Sequence, residues 1–244
     1  MTMLSEAEKK LLDAIRAARR ERRPRTPLAE DLGVDLAGAY RVQEASFAGQ
    51  DVIGYKLGLV SPAKQRQMAV SSPIYGRITR SMLREGTLSL SEFVQPRIEP
   101  ELAVVLRDSV PAGSSPGSVA LAVGAVFLGI DLLDSVWEGY RFSAADVVAD
   151  NASGGAFLLG ERALPWPVDG ELALYLDGEL VAAGPVAALE PVVEHLAWLA
   201  SAVGGLAAGQ VVYLGSPAAA VPAKPGLLEL RGPCGSLLLA RLEA

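Results

Sequence analysis

The chain has 244 residues, of which 50% are hydrophobic and 20% charged, with one cysteine and one histidine. This composition excludes a disordered chain, a collagen-like repeat and a disulfide-stabilised scaffold, and it leaves too few thiols and imidazoles for a zinc cluster. A formal net charge of −6 gives no general attraction to phosphate backbones or anionic lipid, so we expect no nucleic-acid partner and no membrane partner.

The pattern of residues 1–50 predicts a small helical amino-terminal region. Apolar residues recur at helical spacing from Ser5 to about Arg22, with Ser5 as the N-cap and Pro24 as the stop. A second helix is predicted over about 36–47. The arginines beside the first helix are interpreted as a solvated face or a subunit contact, because no aromatic residues are interleaved with them as in an RNA-binding arm. With a single cysteine and no secretory signal at the start of the chain, we expect a cytoplasmic protein.

From residue 51 the pattern changes to short apolar runs bounded by glycine, proline and serine, which is typical of a β-rich domain and predicts one over 51–244. The candidate strands are 52–60, 86–90, 97–106, 122–132, 155–159, 171–176, 179–184, 210–214 and, in two pieces, 226–241. Asp177-Gly178 between alternating apolar residues predicts a tight hairpin. Helices are predicted over about 62–68, after a Ser61-Pro62 cap, and over about 190–203.

Residues 196–223 form a long uncharged segment. Gly204-Gly205, Gln210 and Pro217 interrupt it within the width of one bilayer. We therefore interpret the segment as a buried helix followed by a buried strand.

Two glutamates in the segment QPRIEPELAVVL are candidates for metal binding. On a strand, Glu99 and Glu101 project from the same face, with Cα atoms about 7 Å apart. Desolvation and mutual repulsion disfavour two such carboxylates in an apolar segment unless a proton or a cation relieves them. Pro100 between them indicates an edge or a bulge. An exposed edge strand with two solvated glutamates is the alternative, and the spacing alone favours it.

Asp131 interrupts an apolar run that otherwise predicts a strand buried on both faces. Residues 118–140 contain no lysine or arginine, so a buried Asp131 needs a partner from elsewhere in the fold. Three carboxylates without an imidazole or a thiolate form a hard oxygen site that suits Mg²⁺ or Mn²⁺. A strand-end turn or a long-range salt bridge would also explain Asp131.

Lys56, in the segment GYKLGLVS, is a candidate for binding an anion. On a strand it shares its face with Gly54 and Gly58, which leaves gaps where a small anion can approach. The alternative is a lysine that extends from a sheet edge into solvent. His195, the single histidine, lacks a nucleophile motif and is interpreted as a surface or packing residue.

Six segments, in this order, carry a resemblance to a known family: GYKLGLVSPAKQRQM, SPIYG, QPRIEPELAVVL, the IDLLDS run, DVVADNASGGAFLLG and LAAGQVVYLGS. Together they resemble the 2-oxopent-4-enoate hydratase and 2-oxo-3-hexenedioate (4-oxalocrotonate) decarboxylase family of the fumarylacetoacetate hydrolase-like superfamily. The resemblance implies an α+β fold, with a mixed β-roll like the carboxyl-terminal domain of fumarylacetoacetate hydrolase and a small helical amino-terminal region.

The resemblance also implies the roles of six residues. They are Glu99, Glu101 and Asp131 as ligands of Mg²⁺ or Mn²⁺, Lys56 as the catalytic residue, and Leu57 and Ser153 as substrate-binding residues. Asp131 stands where the family generally has glutamate, which shortens that ligand by one methylene group.

Within the family, Ile74 falls where hydratases have an aspartate, and an isoleucine cannot transfer the protons that hydration requires. This favours metal-dependent decarboxylation of 2-oxo-3-hexenedioate to 2-hydroxypenta-2,4-dienoate in aromatic meta-cleavage catabolism. The alternatives are 2-hydroxypenta-2,4-dienoate hydratase, acylpyruvate hydrolysis, and a non-catalytic partner subunit of a hydratase. Expected partners are a 2-oxo dicarboxylate, a hydratase and further copies of this chain. Arg77, Lys64 and Arg97 are candidates for binding the distal carboxylate, and the sequence does not choose among them.

Overall fold

The computed structural model describes residues 3–244, and within this range the chain forms six α-helices and thirteen β-strands. The helices are α1 (Glu6–Glu21), α2 (Leu36–Ser46), α3 (Pro62–Gln67), α4 (Pro116–Ala122), α5 (Ala144–Ala149) and α6 (Val192–Val203). The strands are β1 (Val52–Gly58), β2 (Ile74–Thr79), β3 (Leu83–Arg84), β4 (Thr87–Ser89), β5 (Pro96–Leu106), β6 (Val123–Asp134), β7 (Gly154–Leu159), β8 (Glu171–Leu176), β9 (Glu179–Pro185), β10 (Val211–Tyr213), β11 (Val221–Pro222), β12 (Gly226–Gly232) and β13 (Ser236–Glu243).

Helix α1 begins and ends as its sequence predicts. The Ser5 hydroxyl accepts a hydrogen bond from the Glu8 N–H, and the Glu8 carboxylate accepts one from the Ser5 N–H, which forms a capping box. Such an N-cap stabilises a helix by about 0.5–2 kcal/mol. The helix ends at Arg22, whose backbone is left-handed, just before Pro24.

The strands form two sheets, and most neighbouring strands run antiparallel. The main sheet has eight strands in the order β2-β1-β10-β5-β6-β7-β3, with β11 also pairing with β5. Its β1–β10 and β3–β7 pairs are parallel. The second sheet has five strands in the order β4-β13-β12-β8-β9. Helix and mixed sheet together confirm the α+β class, while the more specific β-roll stays a prediction.

The hairpin between β8 and β9 forms at the predicted turn. Asp177 and Gly178 both have positive φ, at 50° and 84°. Two consecutive positive φ values are what a type I′ turn requires, and an aspartate followed by glycine is favoured there. The Asp177 carboxylate also accepts a hydrogen bond from the Leu227 N–H on β12 at 2.8 Å, which ties the turn to the next strand.

The core has two main parts. The larger part packs between the sheets and against α4 and α6, and a second part lies under α1 and α2. This second part contains Leu11 and Ile15 from α1 together with Trp137 and Val148 from the later chain. Because the amino-terminal helices share a core with residues far beyond position 50, the boundary between 1–50 and 51–244 stays a prediction.

Helix α6 belongs to the larger core part. The stretch Val186–Val203 is long and apolar enough to cross a membrane by length and composition alone. Within it, α6 directs Leu196, Leu199 and Ala200 into the core. Strand β10 follows and is buried along its length. The predicted order of a helix followed by a buried strand is therefore confirmed, although only one face of the helix is buried.

Among the α-helices and strands of four or more residues, three were not expected from the sequence. They are β2, α4 and α5. Strand β2 contains Gly76, which weakens its strand signal in the sequence. It lies at the edge of the main sheet, where its residues pair only with β1. Helices α4 and α5 have seven and six residues, too short for a clear helical period, and the serine N-caps at Ser115 and Ser143 are their main sequence signal.

Candidate metal centre and active site

Three carboxylates from two neighbouring strands meet on one face of the main sheet. Glu99 on β5 lies opposite Asp131 on β6, and Glu101 lies two residues further along the same face. One carboxylate oxygen from each of the three residues lies within 4.8 Å of the others. Glu99 is 9% exposed, and Glu101 and Asp131 are fully buried. The alternative of two solvated glutamates on an exposed edge is therefore wrong.

Strand β5 is an interior strand, which corrects the edge position expected from Pro100. β6 pairs along its full length on one side. On the other side β10 pairs with residues 103–105 and β11 pairs with 97–98. Pro100 lies between these two segments, where β5 has a ladder partner only on the β6 side. The missing N–H of proline is tolerated there because no second ladder continues past it.

Lys56 supplies the partner that Asp131 needs from elsewhere in the fold. Its ammonium forms an ion pair with Asp131 Oδ2, and the lysine side chain is 2% exposed. The alternative of a lysine extended into solvent is therefore wrong, and the long-range salt bridge weighed for Asp131 is present within the same cluster. The two residues are 75 positions apart and meet because β1 and β6 belong to one sheet.

The glycines beside Lys56 allow close packing rather than an open anion pocket, which corrects the sequence interpretation. A Cβ atom on Gly54 would overlap the Val211 carbonyl oxygen of the neighbouring strand. A Cβ atom on Gly58 would lie 3.1 Å from Cγ1 of Ile74. Gly54 requires glycine because a backbone atom lies directly against it, whereas a side chain at Gly58 would be tight against Ile74.

The cluster carries an excess of negative charge in a buried place. Three carboxylates against one ammonium leave a formal charge of −2 when all are ionised. Burial raises the pKa of Glu99 to about 7 and raises the pKa of Glu101 well above its usual value. Burial also raises the pKa of Asp131, although Lys56 opposes that shift. Protons or a divalent cation would relieve the repulsion.

For Lys56 itself, burial and charge act in opposite directions. Burial favours the neutral amine, but the attraction of Asp131, Glu99 and Glu101 outweighs it, so the pKa of Lys56 is raised above its usual value. The side chain therefore stays an ammonium and can donate hydrogen bonds or a proton within the site.

The donor atoms fit a hard divalent cation. Glu101 Oε2 accepts a hydrogen bond from the Gly215 N–H at 2.9 Å. The other Glu101 oxygen and Asp131 Oδ1 are buried and have no hydrogen-bond partner among residues 3–244. Buried oxygens are rarely left unpaired, and an all-oxygen set is what Mg²⁺ and Mn²⁺ bind. The residues present therefore fit either ion.

A tight turn before β7 brings Ser153 to the sheet that carries the carboxylates. Asn151, Ala152 and Ser153 have φ of 55°, 52° and 57°, in the left-handed region. The Asn151 side chain accepts a hydrogen bond from the Arg77 N–H at 2.6 Å and donates one to the Arg77 carbonyl at 2.9 Å. Ser153 Oγ is buried and has no hydrogen-bond partner in the described range.

Gly76 joins this turn to Lys56. A Cβ atom at Gly76 would overlap the Asn151 carbonyl oxygen and would lie 3.0 Å from Lys56 Cγ. Gly76 also faces Lys56 directly across the β1–β2 ladder. The turn and the lysine are therefore packed against the same glycine. Sequence analysis missed Asn151 as part of the site, although it is the only asparagine in the chain.

Leu57, predicted to bind substrate, places its side chain in the larger core part and is 1% exposed. Successive strand residues face opposite sides, so this side chain points away from Lys56. The substrate-binding role of Leu57 stays a prediction, and its main chain is the part of the residue that would serve it. His195 is also buried in the fold and behaves as a packing residue, with burial lowering its pKa.

The three cations considered for a distal carboxylate occupy different places. Arg97 is two residues from Glu99 and shares its face of β5. Its guanidinium carbon lies 4.2 Å from the centre of the Tyr140 ring. Arg77 lies opposite Tyr55 in the β1–β2 ladder, on the face away from Lys56. Lys64 is exposed on the six-residue helix α3, and its charge reaches Glu99, where it opposes the rise in the pKa of that carboxyl. Arg97 is thus the one held in a defined position on the carboxylate face.

Known proteins similar in sequence include both decarboxylases and hydratases. A 4-oxalocrotonate decarboxylase of Pseudomonas sp. is 34% identical over 214 residues, which cover 82% of this chain and 84% of the relative. A 2-hydroxypent-2,4-dienoate hydratase of Pseudomonas putida is 32% identical over 207 residues, which cover 79% of this chain and 93% of the relative. No family model matches the chain.

Solved structures share the fold. The 4-oxalocrotonate decarboxylase from Pseudomonas putida G7, complexed with magnesium and adipate, matches with a TM-score of 0.86 and 29% identity over 99% of both chains. Fumarylpyruvate hydrolase from Pseudomonas aeruginosa, in complex with Mn²⁺ and pyruvate, matches with a TM-score of 0.60 and 16% identity, covering 78% of this chain and 88% of that one. The family resemblance seen in the sequence is confirmed: this chain is an enzyme and belongs to the 4-oxalocrotonate decarboxylase and 2-hydroxypentadienoate hydratase family.

Proposed function

We propose that this enzyme decarboxylates 2-oxo-3-hexenedioate to 2-hydroxypenta-2,4-dienoate with the help of a divalent metal ion. The observation that carries the proposal is the buried cluster of Glu99, Glu101 and Asp131 beside the Lys56 ammonium. The choice of decarboxylation over hydration rests on Ile74, an apolar side chain that packs in the second core part and can neither accept nor donate a proton.

Glu99, Glu101 and Asp131 would hold Mg²⁺ or Mn²⁺. When bound, the ion supplies a Lewis acid that polarises the 2-oxo group of the substrate. Either ion prefers oxygen ligands, and waters would complete the coordination beside the three carboxylates.

Lys56 and Ser153 would act on the substrate through hydrogen bonds. As the bond from C5 to the distal carboxylate carbon breaks, carbon dioxide leaves and the electron pair moves through the C3–C4 double bond to the 2-oxo oxygen. The buried Lys56 ammonium would stabilise this developing negative charge and supply the proton that gives the 2-hydroxydienoate. The unpartnered Ser153 hydroxyl would donate a hydrogen bond to a substrate oxygen.

Arg97 would bind the distal carboxylate before it leaves. Its guanidinium is held against the Tyr140 ring, and the Tyr140 hydroxyl donates to the Gln95 carbonyl at 2.9 Å, which fixes the ring. A guanidinium can bind a carboxylate through two parallel hydrogen bonds. This arrangement favours a dicarboxylate over a monocarboxylate substrate.

The test is release of carbon dioxide from 2-oxo-3-hexenedioate by the purified protein alone. We expect turnover in the presence of Mg²⁺ or Mn²⁺ and none after treatment with a chelator. Glu101→Gln should lose turnover, whereas Glu229→Gln, on the second sheet, should keep it as a matched control. Hydration of 2-hydroxypenta-2,4-dienoate without decarboxylation would instead support the hydratase alternative. The similarity to the Pseudomonas putida hydratase, at 32% identity, is the reason to test it.

We further propose that the enzyme acts in the cytoplasm in meta-cleavage catabolism, as a homo-oligomer that associates with a hydratase. The proposed association with a hydratase rests on the names of the decarboxylase and hydratase relatives. Residues 1–50 are proposed as a helical region attached to the catalytic domain 51–244.

A further inference from the structure

An arginine of the amino-terminal helix reaches the main sheet and the turn that carries Ser153. Arg19 Nη1 donates to Asp134 Oδ2 at 2.6 Å, at the end of β6. Arg19 Nη2 donates to the Asp134 carbonyl oxygen at 2.7 Å and to Asp150 Oδ1 at 2.8 Å. The two carboxylates are buried, at 3% and 1% side-chain exposure, whereas Arg19 is 31% exposed.

The second oxygen of each carboxylate, Asp134 and Asp150, accepts hydrogen bonds from backbone N–H groups. Asp150 Oδ2 accepts the Val136 N–H at 2.8 Å. Asp134 Oδ1 accepts the N–H groups of Val94 and Gln95, at 2.8 and 2.7 Å, just before β5. Arg19 therefore lies at a junction of three segments: the approach to β5, the end of β6 and the residue that opens the turn.

The turn needs to be held. Asn151, Ala152 and Ser153 are three successive residues with left-handed backbone, a conformation that is unfavourable for any residue with a Cβ atom. Such a run persists only where its surroundings determine it, and runs of this kind cluster at functional sites. Here Asp150 is fixed from one side by Arg19, and Asn151 is fixed from the other by the backbone of Arg77.

We propose that Arg19 is a positioning residue of the active site, which acts by fixing the Asp150–Ser153 turn so that the Ser153 hydroxyl faces the substrate. This inference rests on the proposed function for the role of Ser153. The planar guanidinium suits the position because its separate N–H groups bind two carboxylates and a carbonyl at once, whereas a lysine ammonium offers one centre. The first helix is thus part of the site and not only a cover for the sheet.

A purely stabilising ion cluster is the competing explanation, and a double-mutant cycle separates the two. If Arg19 acts through Ser153, then Arg19→Lys and Ser153→Ala remove the same contribution and their effects on kcat/KM are not additive. If Arg19 only stabilises the fold, the two effects multiply.

The experiment measures kcat/KM for 2-oxo-3-hexenedioate in wild type, Arg19→Lys, Ser153→Ala and the double variant. We expect at least a tenfold loss for Arg19→Lys alone and less than a threefold loss when it is added to Ser153→Ala. Arg20→Lys is the matched control, because Arg20 is 72% exposed on the same helix and its ion pair is with the adjacent Glu21. Equal fold losses in both backgrounds, or wild-type kinetics for Arg19→Lys, would overturn the proposal.

Amide hydrogen exchange gives a readout that does not depend on activity. In Arg19→Lys we expect faster exchange in peptides covering residues 150–155 and at the junction residues 94–95 and 134–136, with the rest of β5 and β6 unchanged. Unchanged exchange in the turn, or an equal increase throughout the protein, would contradict the positioning role. If Arg19→Lys does not fold, Asp150→Asn removes the same ion pair from the other side and takes its place in both measurements. If Arg19→Lys shows the expected faster exchange in the turn but the wild-type protein has no decarboxylase activity, the proposed function is refuted and the positioning of the turn by Arg19 still stands.

Discussion

The charge excess at the carboxylate cluster predicts that Glu99→Gln stabilises the metal-free enzyme. Glu99 has its pKa raised from 4.5 to about 7, with burial as the main cause. Each pKa unit corresponds to about 1.4 kcal/mol, so ionising this side chain in the folded state costs about 3 kcal/mol. A folded-state pKa above the unfolded one means that the carboxyl stabilises the fold at low pH. That stability is lost as the pH rises from about 4.5 to about 7.

The assay is urea denaturation in the presence of a chelator at pH 4.5 and pH 8. Glutamine has nearly the same shape as glutamate and no charge to bury. We expect Glu99→Gln to exceed wild type in unfolding free energy by about 3 kcal/mol at pH 8, and by much less at pH 4.5. With a divalent ion at 100 times its dissociation constant, wild type should gain about 2.7 kcal/mol. Glu99→Gln should lose most of that gain, because it lacks one ligand.

Glu243→Gln serves as the control, because Glu243 is exposed on β13 and its substitution should change neither value. If Glu99→Gln were no more stable than wild type at pH 8 without metal, the reasoning about buried excess charge would be refuted. An equal stabilisation at both pH values would refute it too.

Three further substitutions test separate parts of the site. Lys56→Met leaves the buried carboxylates without their counter-charge. It should lower the unfolding free energy of the metal-free protein by about 3–5 kcal/mol at pH 8, and by less at pH 4.5. Equal losses at the two pH values in urea titrations would argue against this. Gly76→Ala forces a methyl group against the Asn151 carbonyl and should cost about 1–3 kcal/mol, seen as a lower Tm, so an unchanged Tm would contradict the packing. Arg97→Gln removes a charged hydrogen-bond donor worth about 1.5–3 kcal/mol. It should weaken the binding of adipate, a dicarboxylate, about 10- to 100-fold by calorimetry, with little change for the monocarboxylate pentanoate. Equal weakening of both ligands would rule out recognition of the distal carboxylate.

Much of the site follows from strand alternation, which the sequence displays directly. Glu99 and Glu101 share a face because they are two residues apart on a strand, and their register with Asp131 follows from pairing of the two longest strands. The absence of lysine and arginine near Asp131 correctly indicated that its partner lies far away in the chain. Only the fold could show that this partner is Lys56.

The errors share a physical cause, since each concerns a contact between distant segments. Pro100 indicates an edge when its own strand is considered alone, but β10 and β11 leave a gap that accommodates it in the interior. Gly54 suggested an open pocket, whereas Val211 from another strand lies against it. Arg19 resembled its exposed neighbours in the sequence, and nothing local indicated two buried carboxylates more than 100 residues away.

Titration with Mn²⁺, followed by electron paramagnetic resonance, tests the central claim most directly, since it reports on the metal centre without any substrate. Wild-type protein should bind one Mn²⁺ per chain, and Glu101→Gln should bind it at least 100-fold more weakly while keeping its fold by circular dichroism. Unchanged Mn²⁺ affinity in Glu101→Gln would contradict the assignment of these carboxylates as a metal centre.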